Sequence, residues 1–203
     1  MADLPDAPER HEVLATHETP VDWKRMTEFM SRALIALDGL WFMSVLEELG
    51  PERTLQMDIE IIGRHLKIAA RLWRQFGGLD GQSLEDKAGV FQSHAYLFGH
   101  RYEISTDGGA VTMRLHRCGI YENLKRAGRD KDHDCRELCR RVAPGWFAEI
   151  EPRTGGAGRI DLQLPAGGDH CDWTVYQPGH VPEGGEGLVQ IGGNPARPQP
   201  SQA

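Results

Sequence analysis

The sequence has no Cys-x-x-Cys pair, no Glu-x-x-His motif and no internal repeat. The first absence removes the tight zinc knuckle and the dense ferredoxin-like run. The second removes the usual signature of a carboxylate-bridged metal site on paired helices. The third removes solenoids and propellers. The chain also lacks a basic start followed by an apolar run, so no signal peptide is expected. Its longest apolar stretch, around Leu40–Leu46, is far shorter than a bilayer requires, so no membrane partner is expected either. Excess positive charge is missing too. The net charge is −7, and the short basic cluster Arg136, Arg140 and Arg141 is offset by Asp130, Asp132 and Asp134. No nucleic-acid partner is expected from such a balance.

What is present suits a globular protein. The 203 residues are 39% hydrophobic and 26% charged, enough for one domain with a core of its own. Residues 1–20 are polar and aperiodic and read as a flexible N-terminal arm. Residues 178–203 are rich in Gly and Pro and read as a flexible tail. A single domain over 21–177 is left between them. With a cytoplasmic address, Cys118, Cys135, Cys139 and Cys171 are free thiols, metal ligands or nucleophiles before they are disulfides.

Asp22 predicts the cap of a helix carrying Met26, Phe29, Met30, Ala33, Leu34 and Leu37 on one side. Gly39 marks a bend before Leu40–Leu49. Gly50 stops that stretch, and Pro51 opens a third, which carries Leu55, Ile59, Ile62, Leu66 and Trp73 and ends at Gly77-Gly78. The Gly50-Pro51 turn predicts a helical hairpin. Ser83, with Asp86 three residues on, caps a further helix. Arg101–Ser105 and Val111–Leu115 form a hairpin through Asp107-Gly108-Gly109. Short helices are expected over Ile120–Arg126 and Asp134–Val142, and extended runs over Trp146–Glu151, Ile160–Leu164 and Cys171–Tyr176. The expected class is α+β: an N-terminal helical hairpin packed with a C-terminal antiparallel sheet and short helices.

Three cysteines adjoin a histidine, as His116-Arg117-Cys118, His133-Asp134-Cys135 and His170-Cys171. Cys139 follows Cys135 by four residues, which places both sulfurs on one helix face. Two chemistries fit. Zinc takes four ligands from such a set, with Cys118, Cys135 and Cys171 plus Cys139 or a histidine; iron or an iron–sulfur cluster is the less favoured occupant. Alternatively Cys118, at a helix start, is a nucleophile with His133 or His116 as base. Packing is the competing reading for each thiol, and for Cys135 and Cys139 it weighs as much as function. The carboxylates Asp38, Glu47, Glu48, Asp58 and Glu60, near the helical turn, read chiefly as solvated or ion-paired. Trp41, Phe42 and Trp73 read as core or as a wall of an apolar pocket.

The segments His116-Arg117-Cys118, Asp132-His133-Asp134-Cys135 and Gly168-Asp169-His170-Cys171-Asp172-Trp173, with Leu37–Met43 and Glu47–Gly50, resemble the L-2-amino-thiazoline-4-carboxylic acid hydrolase-like family. The same layout resembles the vinyl reductase-type small-molecule-binding domains. Together the likeness covers most of residues 30–176. The sequence departs from the hydrolase pattern at Gly119, where Pro is usual, and at the extra Cys139. The hydrolase resemblance implies opening of a thiazoline ring at a C=N bond with cysteine involved. The vinyl reductase-type resemblance implies a ligand pocket and zinc held by three cysteines. The expected function is therefore a small-molecule hydrolase acting on a C–N or C–S bonded heterocycle, with Cys118 and His133 catalytic and Trp41, His116 and Trp173 against substrate. The alternatives are a non-catalytic zinc-containing binding or sensor module, or an accessory subunit of another enzyme. The expected partners are a small molecule and either a further copy of the chain or a partner enzyme.

Overall fold

A computed structural model describes residues 22–77, 83–153, 155–184 and 187–191. The proposed arm over 1–20 and most of the proposed tail lie outside the described residues.

Helix α1 (Trp23–Gly77) begins where Asp22 Oδ1 accepts the amides of Lys24 and Arg25, at 3.1 and 3.2 Å. Two arms meet at Gly50, whose φ of 76° and ψ of 170° leave the helical region. That backbone suits a residue without Cβ, and Pro51 restarts the helix with its φ already set. Asp38 in the first arm and His65 in the second perturb each other electrostatically, so the chain folds back at Gly50. Gly39 makes no bend: the helix runs through it without a break.

Helix α2 (Leu84–Leu97) starts at Ser83, whose hydroxyl accepts the Asp86 amide at 3.0 Å. Strands β1 (Arg101–Asp107) and β2 (Ala110–Arg117) form the expected hairpin. Helix α3 (Gly119–Arg126) follows, then α4 (Cys135–Ile150), β3 (Ala157–Leu162), a short 3₁₀ turn at Leu164–Ala166, β4 (Cys171–Tyr176) and β5 (Leu188–Gln190). The sheet order is β1-β2-β4-β3-β5, antiparallel throughout. The class is α+β.

Two expectations about chain path are corrected. Trp146–Glu151 is not a strand, because α4 continues past Pro144 to Ile150. Val142, Trp146, Phe147 and Ile150 recur at helical spacing and are all buried, so tertiary packing outweighs the local break at Pro144. The folded body also extends beyond 177. Strand β5 pairs with β3, and the Ile191 amide donates to the Gly156 carbonyl at 3.0 Å with its side chain buried.

The core lies between the inner sheet face and the helices. Val111, Met113, Leu115, Trp173 and Val175 pack against Phe91, Trp146 and Phe147. Trp146 meets Trp173 edge-on at 5.3 Å between ring centres. Gly158 of β3 lies under Phe147, where any Cβ would collide with the ring. Glu149 of α4 accepts from Arg71 and from Arg74, the latter at 2.9 Å, and ties α4 to the second arm of α1. Within Lys24–Gln75 an 18-residue stretch has a mean hydropathy of 1.4 and is 17% buried, long and apolar enough to cross a membrane by length and composition alone. The longest uninterrupted apolar stretch is shorter because Arg32 and Asp38 interrupt the sequence without lowering the average far enough.

Candidate functional site

A cleft of about 930 Å³ opens between the first arm of α1, α3 and the segment leading into α4. Ile35, Leu40, Phe42, Met43, Ile120 and Leu124 make its apolar wall. Asp38, Asp58 and His133 are the acid–base groups on that wall, and Arg32, Arg117 and Arg126 stand among its lining residues. Size, apolar lining and a few converging polar groups are what small-molecule sites have in common.

His133 is buried, packs edge-on to Phe42 with ring centres 5.0 Å apart, and holds Nε2 3.6 Å from Asp58 Oδ2. Burial lowers its pKa, a shift that the Asp134 carboxylate partly opposes, so the imidazole is neutral near pH 7. Asp134 itself is engaged elsewhere. It caps α4 and accepts the amides of Arg136 and Glu137, each at 3.0 Å. Asp58 is buried in the second arm of α1, and burial, with the Asp38 carboxylate adding to it, raises its pKa to about 7. Asp38 is shifted upward by burial as well. A carboxyl group half-protonated at neutrality beside a neutral imidazole is equipped both to give and to take a proton.

The four thiols gather near one another, and Cys135 packs with the wall residues Phe42 and Leu124. Cys118 precedes α3, Cys135 and Cys139 lie on α4, and Cys171 begins β4. All are unpaired. Burial raises each thiol pKa: Cys135 to about 12, Cys171 to about 11, Cys139 well above the ordinary value, and Cys118 less far. The shifts of Cys135 and Cys139 include repulsion from Cys118 and Cys171, so the fold brings the four within electrostatic reach of one another. The amides of Tyr121 and Ile120 partly offset the shift at Cys118, and the Leu164 amide donates to Cys171 Sγ at 3.4 Å. Among the described residues no three Cys, His, Asp or Glu side chains stand in a metal-ligand arrangement. None of the four cysteines lines the cleft.

The three residues expected against substrate are dispersed. Trp173 is core, edge-on to both Trp146 and Phe147. His116 pairs with Glu103 on the neighbouring strand. Trp41 is half-exposed, beside cleft residues Leu40 and Phe42 but not among the lining. Glu48 is exposed, unlike Asp58. His65, His94 and His100, residues the sequence offers as surface or helix-packing histidines, pack close together around Phe98, with the rings of His94 and His100 5.5 Å apart. His100 Nδ1 accepts the Gly119 amide at 3.0 Å. Gly119 also sits where a Cβ would collide with the Phe98 carbonyl oxygen. Proline at this position would supply no such donor.

No family model, curated protein or solved structure matches this chain.

Proposed function

We propose that the protein is a small-molecule hydrolase acting on a C–N or C–S bonded heterocycle, with the cleft as its substrate site and Asp58 and His133 as its acid–base pair. The observation that carries the reading is the 3.6 Å approach of His133 to a carboxyl group titrating at about 7 on the wall of a largely apolar cleft. In the proposed step, neutral His133 takes a proton from water as its oxygen bonds to the C=N carbon. The protonated Asp58 carboxyl gives its proton to the ring nitrogen. The C–S bond of the tetrahedral adduct then breaks as the adduct hydroxyl becomes the carbonyl and returns a proton to the Asp58 carboxylate, and the His133 imidazolium protonates the departing sulfur. Cys135 packs against the wall residues Phe42 and Leu124, and four unpaired thiols suit a cytoplasmic protein.

The test is turnover of a small panel of thiazoline and oxazoline carboxylates, followed by mass spectrometry of the ring-opened product. Wild-type turnover near pH 7 is expected, falling by about 10²-fold or more in Asp58→Asn and His133→Gln while binding persists. No turnover and no binding across the panel overturns the reading.

A second reading, a zinc-containing small-molecule-binding module, is favoured by one observation: four thiols within electrostatic reach of one another. A divalent cation would displace their protons and supply the positive charge that lets neighbouring thiolates coexist.

A further inference from the structure

The first arm of α1 keeps a broad apolar face outside the core. Phe29, Leu37 and Leu40 are 63%, 65% and 69% exposed, and Met26, Met30, Leu34 and Trp41 are exposed beside them. On a helix of a globular domain such side chains belong inside. The pattern is also ordered. Met26, Met30, Ala33, Leu37, Leu40 and Ser44 recur at alternating steps of four and three, and all are exposed. That spacing is the seam by which one helix packs along another. Phe29, Leu34 and Trp41 flank the seam and widen it to bundle width.

We propose that this face docks a second copy of the chain, the two first arms lying antiparallel across a twofold axis near Leu37. Three features select this occupant. The seam is self-complementary when reversed: Met30 then faces the partner's Ser44, Ala33 the partner's Trp41, Leu34 the partner's Leu40, and Leu37 its own counterpart, as an isologous interface requires. The ends complement each other in charge. Lys24 and Arg25 begin the arm and Glu47 and Glu48 end it, so reversal brings basic against acidic at both ends. The exposed apolar area also suffices: the seven large side chains offer on the order of 700 Å², close to the ~800 Å² per partner of a standard interface. Of the seam residues Leu40 alone also lines the cleft; Asp38, Asp58 and His133 are not part of the seam, so pairing leaves the acid–base groups in the cleft.

The test is sedimentation equilibrium and light scattering of the full-length protein in detergent-free buffer. A particle of twice 22.7 kDa is expected, reduced to the single-chain mass in a Leu37→Glu/Leu40→Glu variant whose circular dichroism matches wild type. Leu37→Cys is expected to cross-link copy to copy under mild oxidation, with wild type and Glu28→Cys as controls that do not. A wild-type monomer overturns the proposal, and so does a dimer unaffected by the double substitution. Sedimentation of the wild type with lipid vesicles in place of self-association overturns it in favour of a membrane surface. A monomer that dimerises only after removal of residues 1–21 overturns it in favour of the chain's own N-terminal segment.

Discussion

His133 Nε2 stands 3.6 Å from Asp58 Oδ2, although 75 positions separate the two in the chain. The pair joins the second arm of the hairpin to the segment entering α4. It also ties the carboxyl group to the stability of the whole molecule. The unfolded chain releases the Asp58 proton near the ordinary carboxylate value of 3.8, whereas the folded chain holds it to about 7. Between those values the folded state carries the extra proton, so this group's contribution weakens as pH rises. The full difference is about 4 kcal/mol above pH 7. Asp58→Asn is expected to remove the slope and to melt higher than wild type at pH 8. Thermal melts of both proteins across pH 4–8 measure it.

The histidines around Phe98 act in the opposite sense. Desolvation lowers the pKa of His100 to about 4, and His94 is lowered well below the ordinary value by desolvation, with repulsion from His100 and His65 added. Below the ordinary imidazole value of 6.5 the unfolded chain takes up protons that folded His100 refuses. Stability is therefore complete above 6.5 and lost as pH falls toward 4, by about 3 kcal/mol for His100 alone. In wild type this loss and the Asp58 slope oppose each other over the same interval. Asp58→Asn exposes the acid loss. His100→Gln, which keeps an acceptor for the Gly119 amide, shallows it. Urea denaturation at pH 5 and pH 7 separates the two variants.

The thiols are expected to be inert in the metal-free protein. With a pKa of about 12, Cys135 is thiolate in only about one molecule in 10⁴ at pH 8. Alkylation of Cys135 is expected to be at least about 10²-fold slower than that of free cysteine, read by mass spectrometry of the digested protein. Titration with zinc decides the second functional reading. Uptake of about one ion per chain with release of protons supports it, and no uptake overturns it.

Lys87 and Glu151 form a fully buried ion pair at 3.5 Å, and Glu151 also accepts from Arg153 at 2.6 Å. Glu151→Ala removes the counter-charge of a lysine that has no access to water, and is expected to cost about 3–5 kcal/mol. Lys87→Met leaves Glu151 its arginine and is expected to cost much less. Chemical denaturation of the two variants checks the asymmetry.

The sequence showed the fold more readily than the site, for physical reasons. Caps and turns are local chemistry, so Asp22, Ser83 and the Gly108-Gly109 hairpin stand where their side chains and φ angles require. In β4, Cys171, Trp173 and Val175 recur at every second position and all are core residues, the alternation expected of a strand with one inner face. The helix expected over Asp134–Val142 stops short of the observed end of α4, because the packing that carries the helix past Pro144, through buried Trp146, Phe147 and Ile150, is tertiary. The site depends on separations no local pattern carries. Asp58 was legible in one respect: it lies between Leu55 and Ile62 on the apolar side of its helix, where a carboxylate needs an explanation. Nothing near His133 in sequence names Asp58 as its neighbour, and the adjacent Asp134 is engaged as a cap. The histidine group around Phe98 was hidden for the same reason, since only the α1–α2 packing brings His65 to His94.

Strand β5 closes the sheet with three residues, and Ile191 drops into the core behind it. Its place has a practical meaning for anyone shortening this polypeptide. A cut after Tyr176 looks harmless by composition, yet it would strip β3 of its outer neighbour and leave the Ala157–Arg159 backbone as an open template for aggregation. A cut after Ile191 would keep that edge sealed. Solubility of the two shortened proteins should therefore diverge sharply, even though they differ by only a short Gly-rich segment.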